Sequence, residues 1–341
     1  MHTLMDSKKR SRTMSDVGNI FDGLVCAYIL DGQGGGRRLE WVDVKNAGTT
    51  DELLWLHFDF SKPGVSEWLQ KEAGLHKHVV DALLAEDSRP RSIRLEPGVL
   101  AVLRGVNTNP GAEVEDMVSI RIWLDGKRII TTRRRRLLSI KDLEQMLENG
   151  SGPTNSGSFL ADLSERMVGR IGQVIEQIEE DIEAAESQLQ QRDLTSMRGK
   201  FATLRRRSAH IRRYLAPQRD ALLGASRMQG SVLSDQTCLS LHEHANTVTL
   251  YIEELDLARE RAMVAQEEIL NLLAHEQNSK IFLLSIVAAV FLPLSFLTGL
   301  MGMNVAGLPG TENDSAFNFI LLSMFAIAVG ILFLFRIKKW L

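Results

Sequence analysis

The sequence predicts a membrane protein: a cytoplasmic α/β domain, then long helices (a helical hairpin plus a stalk helix), then two transmembrane helices. Three observations predict it. Short β-branched and aromatic runs alternate with helical segments up to residue 132. Beyond a Gly/Ser/Asn-rich stretch, helical periodicity takes over. Two uncharged apolar runs of spanning length close the chain. The chain has 341 residues, enough for two domains and a large core. A formal charge of −3 names no partner, and two cysteines, Cys26 and Cys238, make no disulfide framework. The N-terminal stretch has basic residues without an apolar run behind them, so the sequence predicts no secretory signal and a cytoplasmic N-terminal bulk.

Five segments read as strands: "LVCAYIL", "LLWLHFDF", "VLAVLRGVN", "VSIRIWL" and "RIITT". "SEWLQKEAG" and "KHVVDALLAED" have helical spacing, and Gly74 stops the first. "LDGQGGGRR" fits no phosphate-binding pattern and reads as a hairpin loop. "ENGSGPTNSGS", Glu148 to Ser158, is a linker. Phe159 to Gln191 then reads as a helix with an acidic middle. Asp193 is the N-cap of a basic helix that carries Arg198, Lys200, Arg205, Arg206, Arg207, Arg212 and Arg213. Opposite charges predict a complementary hairpin, although surface pairs stabilise it little.

From about Val232 to Met303 no breaker occurs except Pro293, giving a helix of roughly 100 Å at about 1.5 Å per residue. Leu241, Ala245, Val248, Ile252, Leu255, Ala262, Ile269 and Leu273 form a coiled-coil-type seam, interrupted at Arg259 and Gln266. Ile281 to Leu300 is the first span and Ser315 to Phe335 the second. The loop between them carries Glu312 and Asp314 but no Lys or Arg, whereas Lys280, Arg336, Lys338 and Lys339 flank the other ends. Positive flanks mark the cytoplasmic side, so both termini are expected inside. The expected divisions are 1–150 (α/β), 151–230 (hairpin), 231–280 (stalk), 281–303 (first span), 304–314 (external loop), 315–335 (second span) and 336–341 (basic tail).

Two helices cannot enclose a wet path, so the spans imply several copies around an axis. A stripe at 3.5-residue spacing, Ile281, Ser285, Ala288, Leu292, Ser295 and Gly299 with Leu284 beside it, is rich in small and hydroxylated residues and would line that axis. The same residue types also serve plain helix packing. Along the stalk, Glu253, Glu260 and Glu267 lie seven apart and would become carboxylate rings that concentrate cations. At the outer end, Gly302 admits dihedrals closed to other residues, Met303 follows, and Asn304 reads either as a helix cap or as a ring of oxygens holding a hydrated divalent ion. Glu312 and Asp314 would raise the local cation concentration.

Other ligand candidates are thinner. Cys238 and His242 lie four apart on one helical face, a soft pair for Zn²⁺ but only two ligands. His57 reads as a core residue, and His76 and His78 as surface. Arg133 to Arg136 would suggest nucleic acid in isolation. Beside membrane spans it reads as subunit or domain ion pairing, so no nucleic-acid partner is expected. No nucleophile–base constellation is present, so no enzyme and no cofactor are expected.

"GMN" at Gly302 to Asn304, between two C-terminal spans, resembles the CorA family of divalent-cation transporters. "NSKIFLLSIVAAVFLPLSFLTGLMGMN" is similar to that family's pore helix, and "RIKKWL" to its basic collar of Arg336, Lys338 and Lys339. "GMNVAGLPG", "WLHFDF", "LLAEDSRPR", "LRGVNTNPGAEVEDMVSIRIWL" and "TTRRRR" resemble the family's zinc-transporter branch, ZntB. The resemblance covers nearly the whole chain. It implies a funnel-shaped homopentamer in the bacterial inner membrane whose first span lines the pore, and Gly302, Met303 and Asn304 as the selectivity motif. It implies Zn²⁺ transport with tolerance for Cd²⁺, Ni²⁺ or Co²⁺, as proton-coupled uptake. Two alternatives stand beside it: a Mg²⁺/Co²⁺ channel, and a membrane-anchored coiled-coil scaffold without transport.

Overall fold

The computed structural model describes residues 22–47, 52–86, 89–189, 193–303, 305, 308 and 315–338. The chain divides into two compact units, Met1–Gln266 and Glu267–Leu341.

In the first unit, seven strands form one mixed sheet: β1 (Leu24–Leu30), β2 (Gly36–Arg38), β3 (Leu53–Asp59), β4 (Arg91–Leu95), β5 (Gly98–Gly105), β6 (Val118–Leu124) and β7 (Arg128–Arg133). Their order is β2-β1-β3-β7-β6-β5-β4. Neighbours run antiparallel except β3 and β7, which pair in parallel with Trp55 opposite Ile129. All five expected strands are present. The sequence reading missed β2 and β4. β2 is three residues long and closes the glycine-rich hairpin, where Asp31 accepts from the Gln33 and Gly35 amides. β4 is an edge strand of five residues, too short for its alternation to register.

Three short helices, α1 (Trp41–Ala47), α2 (Val65–Lys71) and α3 (Lys77–Leu84), supply the cover for one sheet face. Val65, Leu69, Val79 and Leu83 are fully buried in a core with Leu56, Phe58 and Ile130. Gly74 adopts φ 62°, the left-handed conformation that ends α2's turn without steric cost. Trp41 packs edge-on against Trp68, with ring centroids 5.6 Å apart. α1 was not expected from the sequence; its seven residues include Val42, Val44 and Asn46, which are weak helix formers.

α4 (Leu138–Glu148) and α5 (Ser156–Ser187) follow. The Asn155 side chain accepts from the Ser158 amide while the Ser158 hydroxyl accepts from the Asn155 amide. This reciprocal cap starts α5 three residues before the expected Phe159. Phe159 meets Trp55 edge-on at 4.9 Å, which fastens α5 to the strands. Asp193 caps α6 (Leu194–Ser226) as expected, its carboxylate accepting from the Ser196 amide at 3.1 Å.

The ion pairs extend beyond a simple acidic–basic hairpin. Arg207 lies 3.7 Å from Asp181 of α5 but also 3.5 Å from Glu115. Arg212 pairs with Asp256, and Glu186 of α5 with Arg261, both partners on the long helix α7 (Asp235–Met301). Helix α7 thus takes part in the charge complementarity expected of the hairpin alone. Its seam is also more continuous than expected. Leu241, Ala245, Val248, Ile252, Leu255, Ala262 and Ile269 are buried, and Leu273 is half-buried. Ala258 and Ala265 are buried too, so the three-four spacing passes Arg259 and Gln266 without a gap. An alanine contributes little hydrophobic signal to a periodicity count, yet its methyl suffices where helices approach closely.

In the second unit, α7 from Glu267 onwards carries the first apolar window and α8 (Ala316–Ile337) the second. Both are long and apolar enough to cross a membrane, and none of either window is buried.

Candidate cation path

An α-helix turns about 100° per residue, so positions seven apart share a face. On α7 the half-buried positions of the apolar run are Ile286, Ala289, Val290, Pro293, Leu294 and Leu297. Ile281, Leu284, Ser285, Ala288, Leu292, Ser295 and Gly299 are all exposed. The two sets lie about half a turn apart around the helix axis. On α8 the half-buried positions, Ala316, Ile320, Ser323, Met324, Ile327, Ala328, Ile331 and Phe335, also share one face. An open apolar cavity of about 550 Å³ joins Leu294 to Asn318, Leu321, Leu322 and Phe325. Leu294 of the half-buried face therefore stands by α8, and the small-residue stripe points away from that face.

Within the stripe, the Ser285 hydroxyl donates to the Ile281 carbonyl at 2.9 Å, and the Thr298 hydroxyl to the Ser295 carbonyl at 3.0 Å. Hydroxyls in apolar helices satisfy their proton this way. Each hydroxyl oxygen keeps acceptor capacity, so the exposed stripe offers acceptors and small side chains. Gly299 has no atom within 4 Å of where a Cβ would stand. A side chain there would project into open space beside the helix.

At the outer end, the Gly302 amide donates to the Thr298 carbonyl at 2.9 Å and closes the last turn. Gly302 does not use the left-handed region that its residue type admits; a Cβ would stand 3.1 Å from the Thr298 carbonyl oxygen. Met303 is 52% exposed. Asn304, Glu312, Asp314 and Lys339 lie outside the described residues. Arg336 sits in the last turn of α8, where a cation meets the negative end of the helix dipole, and both it and Lys338 are exposed.

Along the stalk, Glu253, Glu260 and Glu267 are exposed, as are Leu250 (57%), Leu257 (55%) and Val264 (61%). They lie opposite the buried seam, so among the described residues this face is an exposed alternation of apolar and acidic side chains.

The other metal candidates differ in exposure. Cys238 is buried and its thiol is pushed up, first by burial and then by Asp235. His242, one turn on, is exposed. Among the described residues no group of three or more His, Cys, Asp or Glu could hold a metal ion. His57 is a core residue: its Nδ1 lies 2.8 Å from the Thr131 hydroxyl, which donates to the Leu56 carbonyl and accepts from Trp55 Nε1. Burial, with a smaller contribution from Arg133, pushes the imidazole down to about 3, so it is neutral. Arg134 and Arg135 pair with Glu86 and Asp116 within the chain, the domain pairing expected of the arginine run.

The sequence reading missed Asn318, a residue lining the apolar cavity of the second unit. Its signal was present: it is the one Asn in the "SAFNFILLSMFAIAVGILFLF" run.

Comparison with known proteins decides the family. A family profile described as CorA-like Mg²⁺ transporter protein matches residues 50–339. The chain belongs to the CorA-like family of divalent-cation transporters. A divalent cation transporter, CmaX, of Pseudomonas aeruginosa is 38% identical over 94% of this chain and 97% of its own. A zinc transport protein, ZntB, of Pectobacterium carotovorum is 34% identical over 94% of this chain and 96% of its own. The solved structure of full-length CmaX superposes with a TM-score of 0.80 at 37% identity, covering 93% of this chain and 98% of that one. The CorA-like fold of α/β domain, long stalk helix and two candidate membrane helices is thereby established. The chain is a transporter and not an enzyme, and membership in this family replaces the scaffold alternative.

Proposed function

We propose that this CorA-family transporter carries Zn²⁺ across the bacterial inner membrane, as proton-coupled uptake through the axis of a homopentamer. Both termini are cytoplasmic in this reading, and the seven-part division of the chain at residues 150, 230, 280, 303, 314 and 335 is retained. The observation that carries it is the exposed stripe from Ile281 to Gly299, half a turn from the half-buried face. Five copies would place seven exposed positions per chain around a shared axis. Ser285 and Ser295 would present lone pairs to the ion, and Ile281 with Leu284 would form an apolar constriction. Asn304 would hold the hydrated ion at the mouth, with Gly302 and Met303 shaping that turn. Glu312 and Asp314 outside, the glutamate rings at 253, 260 and 267 inside, and the collar of Arg336, Lys338 and Lys339 would set the field along the path. Zinc is favoured by similarity to proteins named for zinc transport at 30–34% identity across nearly the whole chain. The other transported ions would be Cd²⁺, Ni²⁺ and Co²⁺.

Proteoliposomes containing the chain are expected to take up Zn²⁺ faster when a proton gradient is imposed. Asn304→Ala is expected to reduce that flux at least about tenfold, a loss near 1.4 kcal/mol of barrier stabilisation. Retained flux would reduce Asn304 to a helix cap. A Mg²⁺ or Co²⁺ channel is the second reading, because the matching family profile is described by Mg²⁺. Mg²⁺ flux exceeding Zn²⁺ flux at equal concentration would select it.

A further inference from the structure

At one end of the sheet, three arginines surround a small polar cavity. It measures about 190 Å³, and its lining includes Glu86 after α3, Arg104 at the end of β5, Asp116 just before β6, Ser119 at the start of β6, and Arg134 and Arg135 after β7. Arg104 is 8% exposed, its guanidinium 4.2 Å above the Tyr214 ring centroid and donating to the Met117 carbonyl at 3.3 Å. Beside the cavity, the buried Arg121 donates to the carbonyls of Ala85, Glu86 and Ser119. The lining thus sums to three guanidinium groups against two carboxylates. Both carboxylates reach their arginines at the surface. Glu86 accepts from Arg134 at 2.9 Å with side chains 71% and 55% exposed, and Asp116 pairs with Arg135 at 57% and 55%. Exposed pairs of this kind are weak and screened by salt.

We propose that this cavity binds a small phosphate-type oxyanion, which displaces Glu86 and Asp116 from Arg134 and Arg135. Guanidinium forks match the geometry of phosphate oxygens, and charge-assisted bonds to them are stronger than neutral ones. Arg104 forms the fixed wall, held by the Tyr214 ring and the Met117 carbonyl. Arg134 and Arg135 form the movable rim, with the Ser119 hydroxyl available as a further donor. The volume lies below the roughly 300 Å³ at which pockets for drug-sized ligands begin, so it admits a phosphate or diphosphate group but not a nucleobase as well. The source is either free phosphate or the phosphate tail of a nucleotide whose remainder stays outside.

The test is calorimetric titration of the full chain in detergent with inorganic phosphate, ionic strength held constant with chloride. One phosphate per chain is expected. The double variant Arg134→Ala, Arg135→Ala alters only exposed rim residues, and its thermal unfolding checks that it is folded. It is expected to weaken binding about tenfold. The pair Glu86→Gln, Asp116→Asn removes the competing carboxylates and is expected to tighten binding. ADP that competes with phosphate assigns the site to a nucleotide's tail, and ADP that does not assigns it to the free ion. Phosphate binding unchanged in the arginine double variant, or weakened in the carboxamide pair, overturns the proposal. Binding of Zn²⁺ in place of phosphate, lost in the carboxamide pair, overturns it as well.

Discussion

The two compact units bury their apolar residues in opposite ways. In the first, Ile120, Ile122, Val248 and Leu255 are fully inaccessible within a single chain. In the second, α8 has no buried residue, and Leu284, Leu292, Phe319 and Phe325 are more than 65% exposed. Water cannot be the solvent around that second surface. Soluble monomers rarely expose contiguous apolar patches beyond a few hundred Å². The first unit folds against itself in water, whereas the second takes lipid and other copies as its surroundings. On one helix, α7, both regimes follow each other: a seam of buried residues, then an apolar run in which no described residue is fully buried.

The largest expected effect breaks this contrast within the first unit. Leu255→Asp places an unpaired carboxylate in the seam and is expected to destabilise the fold by several kcal/mol, about 3–5, read by chemical denaturation. Leu257→Asp, two residues on and on the exposed face, is expected to leave unfolding within about 0.5 kcal/mol and to break the oligomer in size-exclusion chromatography with light scattering. Equal destabilisation by both would erase the distinction between the faces.

A middle-sized effect concerns His57. Its folded-state value is held near 3, below the ordinary 6.5, so between these limits the unfolded chain binds more protons. The stability contributed by the neutral ring is complete above the unfolded value and falls by roughly 1.4 kcal/mol per pH unit on acidification below it. Asp162 acts in the opposite sense. Burial first, then Glu165, lifts its carboxyl to about 6, so its contribution is lost as pH rises from the ordinary 3.8 to that value. His57→Gln, which can still meet the Thr131 hydroxyl, is expected to flatten the acid limb between about pH 6.5 and 3 in denaturation measured with pH. An unchanged slope would show that the ring takes up its proton in the folded state.

The smallest effect sharpens the comparison at the surface of α7. Arg212 and Asp256 are 2.6 Å apart but about two-fifths exposed. Arg212→Ala is expected to cost less than about 1 kcal/mol in denaturation midpoint. A larger loss would mean that the pair is covered in the assembled molecule.

The site and the fold were legible to different depths. The stripe from Ile281 to Gly299 could be read from spacing, because a helix repeats its faces every few residues whatever surrounds it. The pairing of Arg207 with Glu115, of Arg212 with Asp256 and of Arg261 with Glu186 could not, since each joins elements distant in the chain. The arginine cavity draws on four segments, each unremarkable alone.

Local physics was enough for the spans, the five longer strands, the Asp193 cap and the seam, since hydropathy, pleat period and capping act over a few residues. Only the tertiary structure decided the strand order, the parallel pairing of β3 with β7, the edge strands β2 and β4, and the service of Ala258 and Ala265 as seam residues. These depend on contacts between residues far apart in the chain. A short strand or a single methyl acquires its meaning from the neighbour that covers it.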